Sequence, residues 1–177
     1  MNIAVFRQAV VTIYDLPEPT KQSEAGLLST IGDEGLYGQL CQVRTLPGGT
    51  TAEGTALPAD VAEVVTFYGY HGYVQAGGLQ FLTEEEARAY LAAELVFAGR
   101  ATDVLSLPKV SAIRLQELEQ GAVLRRLPEP ETEHTAGWAR VQLVTGQTGY
   151  VRDVALQPVR YEMSAVFTQA AGLCFDA

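Results

Sequence analysis

The sequence predicts an all-β protein made of two small domains in tandem with a short helix between them, and three observations carry that reading. First, one phrase occurs twice: Gly72-Tyr73-Val74 reaches Leu79 across four residues, and Gly149-Tyr150-Val151 reaches Leu156 across the same four. Second, the surroundings of each copy follow the same order. A strand closes on Leu-Pro (Leu16-Pro17, Leu107-Pro108), a long connection follows, and a glycine-led apolar strand starts at Gly38 or Gly121. Third, the stretch between the copies holds the chain's clearest helix signal. Internal repetition of this kind marks repeated structural units, and 177 residues suit two small domains as well as one ordinary one. Units this small bury only roughly 60% of their unfolded surface. Each therefore gains stability by packing rigidly on its neighbour.

The elements follow in order. Residues 10–14 (VVTIY) are β-branched and aromatic and end at Pro17 and Pro19, the pattern of an edge strand entering a loop. Within residues 23–34, Leu27, Leu28 and Ile31 have helical spacing and predict one helical turn in that loop. Residues 38–46 alternate, with Cys41 and Val43 on one face and Gln42 and Arg44 on the other. Residues 47–60 (PGGTTAEGTALPAD) have the composition of an exposed insertion, with a lid over a pocket as the rival reading. Residues 61–68 form the next strand, and Tyr70-His71-Gly72 turns into the first Gly-Tyr-Val. Thr83 followed by Glu84, Glu85 and Glu86 is a capping box with acids at the positive end of a helix dipole, and Ala87, Tyr90 and Leu91 continue the linker helix. The second unit closes on a hairpin of residues 138–144 and 149–151, with Gly146-Gln147 at its turn. Met163, Val166, Phe167 and Ala170 show helical spacing in a tail. The boundaries are 1–82 for the first domain, 83–96 for the linker helix, 97–160 for the second domain and 161–177 for a tail leading toward a further domain.

The charge balance narrows the partners. Twelve Lys and Arg against 21 Asp and Glu give a net charge of −9 with no basic stripe, which opposes nucleic acid and anionic lipid alike. Recognition is then aromatic and hydrogen-bonded. Cys41 and Cys174 lie in different parts of the chain and suggest no disulfide framework. No stretch approaches the roughly 18 apolar residues of a membrane span, so membrane insertion is not expected. Residues 1–16 show no export signal.

These residues resemble a known family. Tyr37-Gly38-Gln39-Leu40-Cys41-Gln42-Val43 with Tyr68-Gly69-Tyr70-His71-Gly72-Tyr73-Val74 is similar to the first bacterial SH3-like domain (SH3b) of NlpC-type cell-wall peptidases. DVLSLPKV, EQGAVLRRL and GWARVQLVTGQTGYV are similar to the second such domain. The resemblance spans about residues 5–160 and implies two small SH3-like barrels. In that family the pair precedes a papain-like cysteine peptidase domain that cuts peptidoglycan stem peptides between D-glutamate and the diamino acid after it, and the first SH3-like domain helps form the substrate pocket. This chain departs from the pattern: the Cys-Ser-Gly motif and downstream His of the peptidase domain are absent. The implied role is non-catalytic recognition of a stem peptide or muropeptide beside a missing C-terminal peptidase domain, in an extracellular or wall-associated protein; a cytoplasmic location fits the same sequence. A freestanding peptide- or protein-binding module of an envelope or phage assembly is the rival reading.

The candidate residues agree with that role. Cys174 has no following His, and only His71 is a neighbour for Cys41, so no catalytic Cys-His pair is expected and Cys41 reads as core. Two histidines and two cysteines at these spacings form no familiar metal site, and no cofactor motif is present. His134, in the acidic stretch 128–135, reads as solvated loop, and Asp33 and Glu34 are scattered carboxylates with no assigned role. Tyr37, Tyr68 and Tyr70 are the candidate substrate-binding residues, since tyrosine offers stacking area and a hydroxyl to a peptide or sugar. Tyr70 is expected to project outward and add little to folding. Tyr73 and Tyr150, being repeated, read as structural, and Trp138 as core or domain interface.

Overall fold

The computed structural model describes residues 2–18, 31–128, 132 and 134–159. The chain folds into two antiparallel sheets of seven strands. The first holds β1 (Asn2–Phe6), β2 (Val10–Tyr14), β3 (Ile31–Leu36), β4 (Leu40–Thr45), β5 (Val61–Thr66), β6 (His71–Gln75) and β7 (Leu79–Leu82). The second holds β8 (Leu95–Ala98), β9 (Thr102–Leu105), β10 (Arg114–Leu118), β11 (Val123–Arg126), β12 (Trp138–Gln142), β13 (Thr148–Arg152) and β14 (Leu156–Pro158). The spatial orders are β3-β2-β6-β5-β4-β1-β7 and β10-β9-β13-β12-β11-β8-β14. Adding seven to each strand number of the first gives the second. The Gly-Tyr-Val phrases fall on β6 and β13, and a short 3-10 turn carries each chain onward to the strand opened by Leu79 or Leu156.

Two expectations are corrected. The long connection after each Leu-Pro contains a strand, β3 or β10, which pairs with its predecessor. β2 is therefore an inner strand. Ile31, expected in a helical turn, opens β3: Gly32 costs a helix about 1 kcal/mol, while pairing with β2 satisfies the backbone. Residues 23–30 of that turn, and the apolar tail with Cys174, lie outside the described residues. The insertion 47–60 is a small folded excursion, with a bridge between Thr50 and Ala56 and with Leu57 buried.

Each sheet curls until its flanks share one core. In the first unit Phe6 and Ala4 of β1 meet Val11 and Ile13 of β2, Cys41 and Val43 of β4, Val64 of β5 and Val74 of β6. Closure is visible at Gly35, where a Cβ would stand 2.4 Å from the Phe6 ring. The register makes Phe6 equivalent to Ala98 and Gly35 equivalent to Leu118. The second unit thus fills the same space from the opposite strand, a small residue on β8 facing a large one on β10. Both Ala98 and Leu118 are fully buried.

The helix α1 (Glu84–Ala92) joins the units. The Thr83 hydroxyl accepts from Glu86 N, and the Glu86 carboxylate accepts from Thr83 N at 2.8 Å, so the expected capping box is present. Ala87 and Tyr90 face inward and join Ile3, Val5, Leu40 and Val123 in an apolar cluster that belongs to both units. Equivalent loops interlock beneath it. Gly38 and Gly121 both have positive φ, and their N–H groups donate to the carbonyls of the equivalent Phe6 and Ala98. A Cβ on Gly38 would sit 1.9 Å from the Val123 carbonyl, so only glycine permits this approach.

Candidate functional site

Turn chemistry sets the exposed end of the first unit. Between β5 and β6, Gly69 takes φ 90°, Thr66 N donates to the Tyr70 carbonyl, and the Thr66 hydroxyl accepts from Tyr70 N at 2.9 Å. This holds Tyr68 and Tyr70 on one rim. Across from them stand Asp15, which follows β2, and Asp33 in β3. The Tyr68 hydroxyl donates to Asp33 Oδ2 and the Tyr70 hydroxyl to Asp15 Oδ1, each at 2.5 Å. Gly32 makes room: a Cβ there would lie 1.8 Å from the Tyr70 hydroxyl and 2.3 Å from Asp15. Phe67 supports Tyr68 edge-on at 4.9 Å between ring centroids.

The carboxylates tune the phenols. The hydrogen bond to Asp15, with some burial, pushes Tyr70 up to about 12. Burial first, then the Asp33 bond, pushes Tyr68 well above the ordinary tyrosine value. Both hydroxyls stay protonated near neutrality with their protons committed to carboxylates. The remaining lone pairs on two phenols and two carboxylates make this end rich in acceptors. It suits a ligand that brings donors, such as amide N–H, ammonium or sugar hydroxyl groups.

A second polar group lies along the same hairpin. His71 Nε2 is 2.7 Å from Glu63 Oε1, and Thr45 donates its hydroxyl to the other oxygen of Glu63. Glu63 is buried at 3% exposure. Burial pushes its carboxyl up, but the Thr45 and His71 hydrogen bonds and the nearby cations outweigh it and hold the group below its usual value. His71 is thus engaged by Glu63, while Cys41 is buried in the core. Among the described residues no three His, Cys, Asp or Glu side chains gather closely enough to hold a metal ion, and no helix is long and apolar enough to cross a membrane.

The three candidate tyrosines are divided. Tyr68, 46% exposed, shares its rim with Tyr70. Tyr37, 1% exposed, is packed in the second unit's core cluster. Its hydroxyl accepts from Val144 N at 2.9 Å and its carbonyl from Val123 N at 2.8 Å. Tyr37 therefore faces the junction between units. Tyr70 also departs from expectation: its ring packs partly against the first core, so it contributes to folding as well as to the rim. Sequence reasoning missed Asp15 and Gly32 and left Asp33 without a role. The signal was a period-two match of Asp33 to the inner residues of β2, which becomes readable only once β3 is known to be a strand.

The fold and this rim define the class first: a tandem all-β protein with a polar, tyrosine-lined surface on its first unit. No family model matches the chain. A curated relative, dipeptidyl-peptidase 6 of Lysinibacillus sphaericus, is 31% identical over 136 residues, which is 77% of this chain and 46% of that protein. The chain thus spans about half the length of the curated relative it matches. Among solved structures, an NlpC/P60 family protein from Bacillus cereus aligns with a TM-score of 0.61 over 88% of this chain and 55% of that one, at 17% identity. That second likeness speaks for the fold.

Proposed function

We propose that this chain is the recognition and substrate-positioning region of a peptidase acting on peptidoglycan stem peptides, contributing binding where a separate peptidase domain contributes bond cleavage. The observation that carries the reading is the pair of tyrosine–carboxylate contacts, Tyr68 with Asp33 and Tyr70 with Asp15, on an exposed end of the first unit. The similarity to a protein named as a dipeptidyl-peptidase supports the peptidase context. The two units are read as tandem SH3-like domains of bacterial type, with the stem peptide of a muropeptide lying across the first. Its amide and amine groups would supply the donors that the rim lacks, and its stems would lie on the tyrosine faces.

The test is titration of a purified muropeptide into the isotopically labelled chain. Expected are amide shifts centred on residues 15, 32–34 and 66–71, reduced at least about tenfold in affinity by Tyr70→Ala or Asp15→Asn, which corresponds to about 1.4 kcal/mol. Shifts confined to the second unit would overturn the assignment. Mass spectrometry after long incubation is expected to find the muropeptide intact; thiol-dependent release of a dipeptide would show that the chain is itself an enzyme.

A further inference from the structure

The first hairpin carries a polar group that the tyrosine rim does not use. Glu63 of β5 is buried at 3% exposure. One of its oxygens accepts from the Thr45 hydroxyl, and the other lies 2.7 Å from His71 Nε2. Taking a carboxylate out of water is costly even when it is paired, and the repeat shows that these strands close without one. Glu63 stands opposite Tyr73, whereas Arg140 stands opposite Tyr150, and Thr148 takes the place of His71 ahead of the second Gly-Tyr-Val. The acid–imidazole pair is therefore special to the first unit, as the rim is. It also adjoins the rim in the chain, since His71 follows Tyr70 directly and opens β6.

We propose that His71 is a further contact residue for the ligand of the first unit, with Glu63 as its positioning residue, and that it makes binding proton-linked. It rests on the rim being a ligand site: a donor-bearing ligand that continues from the rim past the turn meets one more acceptor. Glu63 itself is out of reach, but His71 is not, with 45% of its side chain exposed. The Thr45 and His71 hydrogen bonds hold Glu63 below its usual value despite burial, and an ionised carboxylate only accepts. Nε2 therefore carries the hydrogen of the Glu63 contact, and in the neutral ring Nδ1 is left as a bare acceptor. Among the described residues Nδ1 has no hydrogen-bond partner. The Tyr73 ring, edge-on at 5.7 Å between centroids, steadies the imidazole. Protonation puts a hydrogen and a positive charge where the acceptor was, so binding weakens as pH falls. The groups around the ring are Glu63 on β5, Thr45 and Arg44 on β4, Tyr73 on β6 and Glu53 of the excursion. Of these residue types and histidine, only histidine ordinarily changes charge between about pH 5 and about pH 8.

The experiment titrates a purified muropeptide into the whole labelled chain at about pH 8 and about pH 5, with imidazole nitrogen spectra of the free protein at both. Expected are a ring with hydrogen on Nε2 and none on Nδ1 at the higher pH, and an affinity at least about threefold greater there, the size of one hydrogen bond. His71→Gln, a change at an exposed position, is expected to remove most of that pH dependence while binding persists. Glu63→Gln, whose amide offers Nε2 both a donor and an acceptor, is expected to give a mixture of tautomers and a weaker affinity at the higher pH. Tyr70→Ala tests the rim separately, by a loss of affinity at both pH values. The same pH ratio in the unaltered and His71→Gln proteins, or a neutral ring with its hydrogen on Nδ1, would overturn the role of His71 and leave the rim as a ligand site. No binding of the muropeptide at either pH would overturn both.

Discussion

The turn at residues 66–70 and its counterpart at 143–147 share a backbone and almost nothing else. In each, the first residue's N–H donates to the carbonyl four residues on, at 2.8 Å, and a glycine with φ near 90° donates back at 2.9 Å (Gly69 to Thr66, Gly146 to Leu143). The side chains around them diverge. Where the first unit has Tyr68, Tyr70, Asp33 and Asp15, the aligned positions of the second hold Thr145, Gln147, Gln116 and Ser106. The second turn is also engaged, since Val144 N is bonded to the Tyr37 hydroxyl. The glycine and the backbone bonds are common to both turns, so the side chains at residues 68 and 70 are not what sets the turn. Charge follows the same division. Residues 1–82 carry 3 Lys and Arg against 8 Asp and Glu, a net of −5, while residues 97–160 carry 8 against 7, a net of +1. The acidic character of the chain belongs to the unit with the tyrosine rim and to the helix.

The largest expected effect tests whether the two cores are one design solved twice. Phe6→Ala removes a fully buried ring and is expected to cost about 3–5 kcal/mol. Gly35→Leu alone drives a side chain into that ring and is also destabilising. Made together, they give the first unit the arrangement that Ala98 and Leu118 have in the second. Denaturant unfolding of all four proteins should show the double variant losing much less than the sum of the two singles. Additive losses would mean that the equivalence seen in the register does not extend to the volume filled.

A smaller effect tests the junction. Tyr37→Phe keeps the buried ring and deletes the hydroxyl that serves Val144, leaving a buried N–H without its partner, a loss of about 1–3 kcal/mol. If the units unfold together in the unaltered protein, this variant should lower the single transition. A separate, earlier transition of the second unit would instead show that Tyr37 is what couples the two.

The framework was legible in the sequence to a large degree. The doubled Gly-Tyr-Val phrase marks β6 and β13, and Thr83 with Glu86 marks the start of α1, because both are local signals with one cheap structural solution. β1, β3, β8 and β10 were hidden. Ile31 to Leu36 contains two glycines and two acids, a poor strand by composition, and its pairing to β2 is what fixes it. Asn2 to Phe6 is apolar on both faces since it packs on the first core through Ala4 and Phe6 and on the junction through Ile3 and Val5, so no alternation announces it. The site was half legible for a related reason. Tyr68 and Tyr70 stand beside a recognisable turn, whereas Asp15 and Gly32 become meaningful only when β2 and β3 are brought to that turn. Tyr37 looked like its neighbours in the sequence, yet the chain's path carries it to the opposite side, into the junction.

Next in size is the contrast between Tyr70 and Gln147. Tyr70→Phe is expected to cost about 1 kcal/mol in thermal or denaturant unfolding, through loss of the Asp15 hydrogen bond, with the ring still packed. Gln147→Ala, at the aligned exposed position, is expected to stay within about 0.5 kcal/mol of the unaltered protein. Gly32→Ala should mimic Tyr70→Phe by pushing the hydroxyl and Asp15 apart. Equal effects at residues 70 and 147 would remove the structural distinction between the two ends.

The smallest effect appears only in alkali. Tyr70 is raised to about 12 from the ordinary value of 10 by its bond to Asp15 and by burial, and Tyr68 is raised by burial and by Asp33. A group whose folded value is raised stabilises the protein fully below its unfolded value and loses that contribution as pH climbs through the folded one. The window for Tyr70 therefore runs from about pH 10 to about pH 12. Tyr37, Tyr73 and Tyr90 are raised as well, chiefly by burial, so part of the alkaline loss comes from outside the rim. Melting temperatures followed from about pH 9 to about pH 12 should fall more steeply in the unaltered protein than in a Tyr68→Phe, Tyr70→Phe double variant, which has no phenol to ionise at the rim. The residual slope of the double variant then reports the groups outside the rim. Parallel curves would mean that the two carboxylates do not hold the rim phenols in their protonated form, and the acceptor-rich character of the first unit's end would have to be assigned to Asp15 and Asp33 without them.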